Sequence, residues 1–165
     1  DTLGFNAAVR SALREEPDIL IVGEMRDLET IRWALEAAET GHIVFGTLHT
    51  SSAAKTIGRV INVFPAAEKS MVRFMLSESL QAVISQNLMK KIGGGRCAAH
   101  EIILCTPAIR NLIREDKVAQ MYSAIQTGGL IGMQILDQYL KNLLEQSLIT
   151  KEAAQEKAKI PADFM

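Results

Sequence analysis

Glu24 stands where an acid can do chemistry. It closes the segment Asp18–Glu24, DILIVGE, an apolar run that reads as a strand ending in a carboxylate. A carboxylate at a strand tip can hold a magnesium ion, directly or through water, beside phosphate groups. Gly23, just before it, lets other groups approach closely. The plainer reading is a surface acid that ends an ordinary strand. His49, in GTLHT, follows a second apolar run, Ile43-Val44-Phe45. An imidazole there can donate a hydrogen bond to a terminal phosphate, or sense its presence. The plainer reading is a histidine capping a strand–helix turn. The two residues say more together than apart, because two parallel strands end at the same sheet edge.

Other candidates carry less. His42 opens the second strand, which puts it roughly 20 Å from His49 at about 3.3 Å per residue. It is structural or serves another surface, such as a subunit contact. Arg26 and Asp27 pair with each other or with neighbours, and a role in coupling the site to a subunit contact stands beside that. His100 lies inside a strand, and Cys97 and Cys105 form no CxxC pair, so no metal-ligand spacing emerges. Gly93-Gly94-Gly95 has no GxxxxGK[ST] pattern and reads as a turn. The segment Ala108–Glu115, AIRNLIRE, is a well-marked helix with Thr106 as N-cap and Pro107 at its first position. Ile109, Leu112 and Ile113 form its apolar face. Arg110 and Arg114 stack one turn apart, as a solvated face or as a pair awaiting acidic partners.

The elements that position these residues alternate along the first two-thirds of the chain. Helices are expected over Phe5–Glu15, Leu28–Thr40 and Ser51–Val63, the last capped by Thr50 or Ser51. The strands at 19–22 and 42–48 are short continuous apolar runs, expected to be buried on both faces. A strand, a crossover helix and a strand make a right-handed parallel pair, and ligands bind at the carboxyl edge of such sheets. Ala66–Lys91 is expected to be helical, with one possible break. The triple glycine turns a hairpin between Leu88–Ile92 and Ala98–Leu104. Helices are expected over 107–115, 117–127, 132–147 and 150–158. The class is α/β, a mostly parallel sheet followed by an all-helical tail.

Composition narrows the function. The chain has 165 residues, 48% of them hydrophobic, and a net charge of -1. That suits one compact domain and excludes disorder. Balanced charge, with aromatics at 5%, argues against a nucleic-acid surface. The two scattered cysteines suit a reducing compartment. No apolar run approaches the roughly 20 residues that span a bilayer.

DILIVGEMRD at 18–27, AAETGHIVFGTLHTSSAAKTI at 37–57 and AIRNLIRE at 108–115 resemble the type II/type IV secretion ATPase superfamily, and most closely its pilus retraction branch. The first two segments resemble its Walker B and His boxes, and the third resembles the signature of retraction ATPases. Paired CxxC motifs, carried by many assembly members, are absent. The resemblance implies the C-terminal part of a RecA-like core at 1–106 and a helical region at 107–165. It implies a cytoplasmic homohexamer at the inner face of the bacterial inner membrane, using ATP and Mg2+. That motor would retract pili against an inner-membrane platform protein, with no nucleic acid and no membrane insertion of its own. By position, Glu24 is the Walker B acid, holding Mg2+ through water beside ATP. Gly23 and His49 join it at the nucleotide. Arg26 belongs to the Walker B segment, and His42 is the His-box residue suited to a subunit contact. Ala108, Arg110, Leu112 and Arg114 belong to the effector signature. The Walker A loop and the catalytic glutamate of the Asp box would lie upstream of Asp1, so this piece alone is expected to be catalytically incompetent. The alternatives are an assembly or secretion ATPase of the same superfamily, and a non-catalytic docking module.

Overall fold

The computed structural model describes residues 17–165 together with Ser11 and Glu15. The helix expected over Phe5–Glu15 lies almost wholly outside the described residues. Two small sheets and seven α-helices make up the rest. Strands β1 (Ile19–Val22) and β2 (Ile43–Gly46) pair in parallel across the crossover helix α1 (Leu28–Glu39). Helices α2 (Ala53–Asn62) and α3 (Lys69–Ser79) follow. Strands β3 (Ala82–Lys90) and β4 (Arg96–Leu104) then form an antiparallel hairpin. Four helices complete the chain: α4 (Pro107–Arg114), α5 (Met121–Thr127), α6 (Leu136–Glu145) and α7 (Lys151–Lys157). The α/β class holds, but only the first pair of strands is parallel.

Three expectations are corrected. Helix α3 stops at Leu80, whose backbone turns extended, and the chain enters β3 instead of continuing as helix to Lys91. Nine cross-strand pairs with β4, from Ala82↔Leu104 to Lys90↔Arg96, outweigh the helical tendency of this stretch. The turn between them needs Gly93, Gly94 and Gly95, with φ of 82°, 105° and 75°, values that side chains disfavour. Helix α2 is capped by Ser52, not Thr50 or Ser51. Ser52 is extended and its Oγ accepts from Lys55 N at 3.3 Å. Thr50 instead turns its hydroxyl to Thr56 Oγ1 at 2.6 Å. Finally, β1 and β2 are not buried on both faces. Ile21 is 80% and Phe45 60% exposed, and Ile19 and Ile43 share their face. Helix α1 packs against β2, and the alternate residues Leu20, Val22 and Val44 are half-buried.

The expected helical tail is shorter at its joints. A 3-10 turn at Val118–Gln120 precedes α5, and Gly128–Gly132 interrupts the chain before α6. Gln134 then forms a bridge to Ile102 of β4. The larger core cluster joins Ile31 of α1, Ile57 of α2, Val72 of α3, Ile103 of β4 and Ile109 and Ile113 of α4. Full burial of each such side chain contributes about 1.5–3 kcal/mol. A second cluster packs Met89 and Ala99 of the hairpin on Leu136, Leu140 and Leu143 of α6.

Asp137 fastens the chain's end to that second cluster. It is 3% exposed, and its two oxygens accept from Lys159 N at 2.8 Å and Ile160 N at 2.9 Å. Asp137→Ala strands both donors and should cost about 1–3 kcal/mol. Thermal unfolding followed by circular dichroism should show a midpoint several degrees lower. An unchanged midpoint would mean that this strap adds nothing to stability.

Candidate functional site

The register of the parallel pair places the site. Ile19 faces Ile43 and Val22 faces Gly46, so both strands end level. The segments beyond them are then laced together. Met25 N donates to Thr47 O at 2.9 Å, Thr47 N to Val22 O at 3.3 Å, and the Thr47 hydroxyl to Gly23 O. Thr47 therefore bridges the two strand tips. Gly46 admits Met25 beneath it. A Cβ there would stand 2.6 Å from Met25 Cε. Gly23 is different, since a Cβ there meets nothing within 4 Å and packing does not demand glycine.

Glu24 and His49 come together at this edge. His49 Nε2 lies 3.2 Å from Glu24 Oε1, and the Arg26 guanidinium grips the same oxygen. The Glu24 side chain is 27% exposed and that of His49 83%, so the pair faces open solvent. The Arg26 hydrogen bond is the main reason that the Glu24 carboxyl sits below the ordinary glutamate value. Partial burial opposes it, and Arg26's charge and His49 add to it. Asp27 is not Arg26's partner. It caps α1, accepting from Thr30 N at 2.8 Å and Thr30 Oγ1 at 3.0 Å, and those bonds hold its own carboxyl low.

Two basic residues join the site without having stood out in the sequence. His49, Thr50, Ser51, Lys55 and Arg59 line one groove. Lys55 and Arg59 lie one turn apart on α2, the helix that starts just after His49, and that spacing was the available signal. The groove therefore carries positive charge and hydroxyls beside the acid.

The remaining candidates lie elsewhere. His42 sits at the opposite end of β2, its Nδ1 3.0 Å from Ala37 O and 3.2 Å from Thr40 Oγ1. On α4, Ile109 and Ile113 are wholly buried, Leu112 is half-buried against the core, and Ala108 is exposed. Arg110 and Arg114 are not simply a solvated face. Arg110 Nη1 donates to the carbonyls of Ser77 and of Glu78, the latter at 2.6 Å, and Arg114 Nη1 meets Glu78 Oε1 at 2.8 Å. The end of a helix leaves carbonyls without partners and a partial negative charge. Arg110 answers both, and the Glu78 carboxylate pairs Arg114, which offsets the repulsion between the two arginines.

Among the described residues, no group of three or more His, Cys, Asp or Glu could hold a metal by itself. Glu24 offers a carboxylate oxygen at the open edge. Cys97 and Cys105 are free thiols, and burial pushes the Cys105 thiol up to about 11. No helix among the described residues is long and apolar enough to cross a membrane.

Residues 1–101 match the family described as Type II/IV secretion system protein. The chain is 76% identical over 164 residues to the Type IV pilus retractation ATPase PilT of Pseudomonas aeruginosa, covering 99% of this chain and 48% of that protein. It is 62% identical over 158 residues to a twitching motility protein of Neisseria gonorrhoeae, covering 95% and 42%. The crystal structure of the pilus retraction motor PilT with bound ADP superposes with a TM-score of 0.89 at 52% identity, over 99% of this chain and 46% of that one. The chain thus spans about half the length of the curated relatives it matches.

Arg26→Ala should raise the Glu24 carboxyl toward its ordinary value of 4.5, read by carboxyl-carbon NMR titration. Because folding lowers that value, the pair's contribution to stability is present above the unfolded value and fades as pH falls through the folded one. An unmoved midpoint would show that Arg26 does not hold Glu24 in solution. Arg110→Ala should cost about 1–2 kcal/mol by releasing the end of α3, seen as a lowered melting midpoint with the helical content retained.

Proposed function

The chain belongs to the type II/IV secretion system protein family, and we propose that it forms part of a homohexameric ATP-hydrolysing motor that powers type IV pilus retraction. The observation that carries this reading is the 76% identity to a pilus retraction ATPase over nearly the whole chain. Identity to the assembly ATPase PilB of the same bacterium is 38%, which favours retraction over assembly.

In this reading the strand edge is the nucleotide side of the site. Glu24 is ionised at neutral pH and presents its carboxylate to the open edge. A single carboxylate suits Mg2+ held through water, because that ion keeps several waters and takes other ligands from phosphates. Glu24 would hold such an ion, whose charge would offset that of the phosphate oxygens of ATP. His49 Nε2 is a donor at the same edge, exposed to a terminal phosphate. Gly23 leaves the approach clear, and Lys55 and Arg59 draw an anion into the groove. Arg26 holds the Glu24 oxygen and, with His42, serves the contact between subunits.

The division of labour follows the chain. Residues 1–106 act as the RecA-like ATPase core and 107–165 as the helical effector region. Ala108 presents a bare surface on α4, while Leu112, Arg110 and Arg114 seat that helix against the core and α3. The motor works in the cytoplasm at the inner face of the inner membrane and pulls on a platform protein in that membrane. It neither enters the bilayer nor binds nucleic acid.

The test uses the protein extended to its relatives' length. Glu24→Gln should lower ATP turnover at least about 100-fold, and bacteria carrying only that variant should keep surface pili while losing twitching. Turnover within twofold of the parent would overturn the role of Glu24. Cells that lose their pili would point to assembly instead.

A further inference from the structure

Glu101 is a buried carboxylate that the strand-edge chemistry does not use. It lies in β4 with 7% exposure. A carboxylate so placed needs a compensating donor. Ser85 stands directly opposite it in the ladder, yet the Ser85 hydroxyl has no hydrogen-bond partner among the described residues. The Glu101 carboxylate is spent on another element. Its Oε1 accepts from the backbone N of Ala53 at 2.7 Å, and Ala53 is the first residue of α2.

That N–H is one of the donors a helix start leaves without an internal partner, and the helix dipole favours an anion there. Ser52 takes the third N–H of the same turn, that of Lys55. The loop before the helix is tied to this turn as well. Thr50 Oγ1 meets Thr56 Oγ1 at 2.6 Å, and Thr56 N and Oγ1 both donate to Ser52 O at 3.0 Å. His49 immediately precedes Thr50 and reaches Glu24 from there. An unbroken set of bonds therefore runs from Glu101 through the first turn of α2 to the loop that carries His49.

We propose that Glu101 is a positioning residue for the nucleotide site, anchoring the start of α2 on the hairpin so that His49 is held against Glu24. This rests on the proposed nucleotide reading of that edge. Glu101 touches no reacting group and acts only through the loop. A misplacement of about an ångström at a reacting group can cost one to two orders of magnitude in rate.

The experiment is a double-mutant cycle on ATP turnover in the protein extended to its relatives' length, with Glu24→Gln as a control. Glu101→Ala should lower kcat about tenfold and leave KM for ATP within about twofold. Glu101→Gln, which keeps the acceptor oxygen, should restore most of kcat. In a His49→Ala background, Glu101→Ala should lower kcat less than about twofold further, because its effect passes through His49. A merely structural role gives independent, multiplicative losses in the cycle, and that result overturns the proposal. So does an alanine variant with unchanged kcat. If the alanine variant does not fold, Glu101→Asp, which draws the acceptor back by one methylene, takes its place in the cycle. Loss of folded protein in that variant too makes Glu101 a core element and overturns the idea. Failure of the nucleotide reading looks different: the parent does not turn over ATP, or Glu24→Gln is as active as the parent, and then both ideas fall.

Discussion

Everything at the strand edge depends on the parallel register of β1 and β2. Because Val22 pairs with Gly46, Gly23 and Thr47 leave the sheet side by side, and three hydrogen bonds hold the tips together. A shift of one residue would invert the faces of a strand and move its tip along the sheet. Glu24 and His49 would then no longer share an oxygen-to-nitrogen contact of 3.2 Å. The helices serve that register. Helix α1 returns the chain for the parallel crossover, with Asp27 capping its start, and α2 leaves directly from the second tip.

Much of this was legible in the residues. Short apolar runs ending in Gly-Glu and Thr-Leu-His mark strand tips, and a single crossover helix between them fixes a common edge. The opposite placement of His42 followed from strand length alone. Other features had no local signature. The acceptors of Arg110 are backbone carbonyls of Ser77 and Glu78, and no residue type announces a carbonyl. Glu101 reads as one acid inside a strand until the helix start above it is known. The change from α3 to β3 has no clean signature, because the inward side of β3 carries polar Ser85 and Asn87 while Ile84 and Leu88 are exposed on its other side. The open face of β1 and β2 has no signature in the residues, because Ile-Leu-Ile-Val looks the same whether one face or both are covered.

The arginines of α4 tie two helices together. Their guanidiniums close the end of α3 just before the chain turns into β3, while Ile109 and Ile113 sink into the main core. The helix has little freedom to move by itself. A partner meeting its exposed side would meet α3, α4 and the hairpin as one body. The hairpin is also where Glu101 meets α2, through the bond from Ala53 N.

The open face of the parallel pair has a practical consequence. Ile19, Ile21, Ile43 and Phe45 form a contiguous apolar surface on strands of four residues each. Such a surface is adhesive in water. Clumping should set in with rising concentration and salt, starting from the very strands whose tips carry Glu24 and His49.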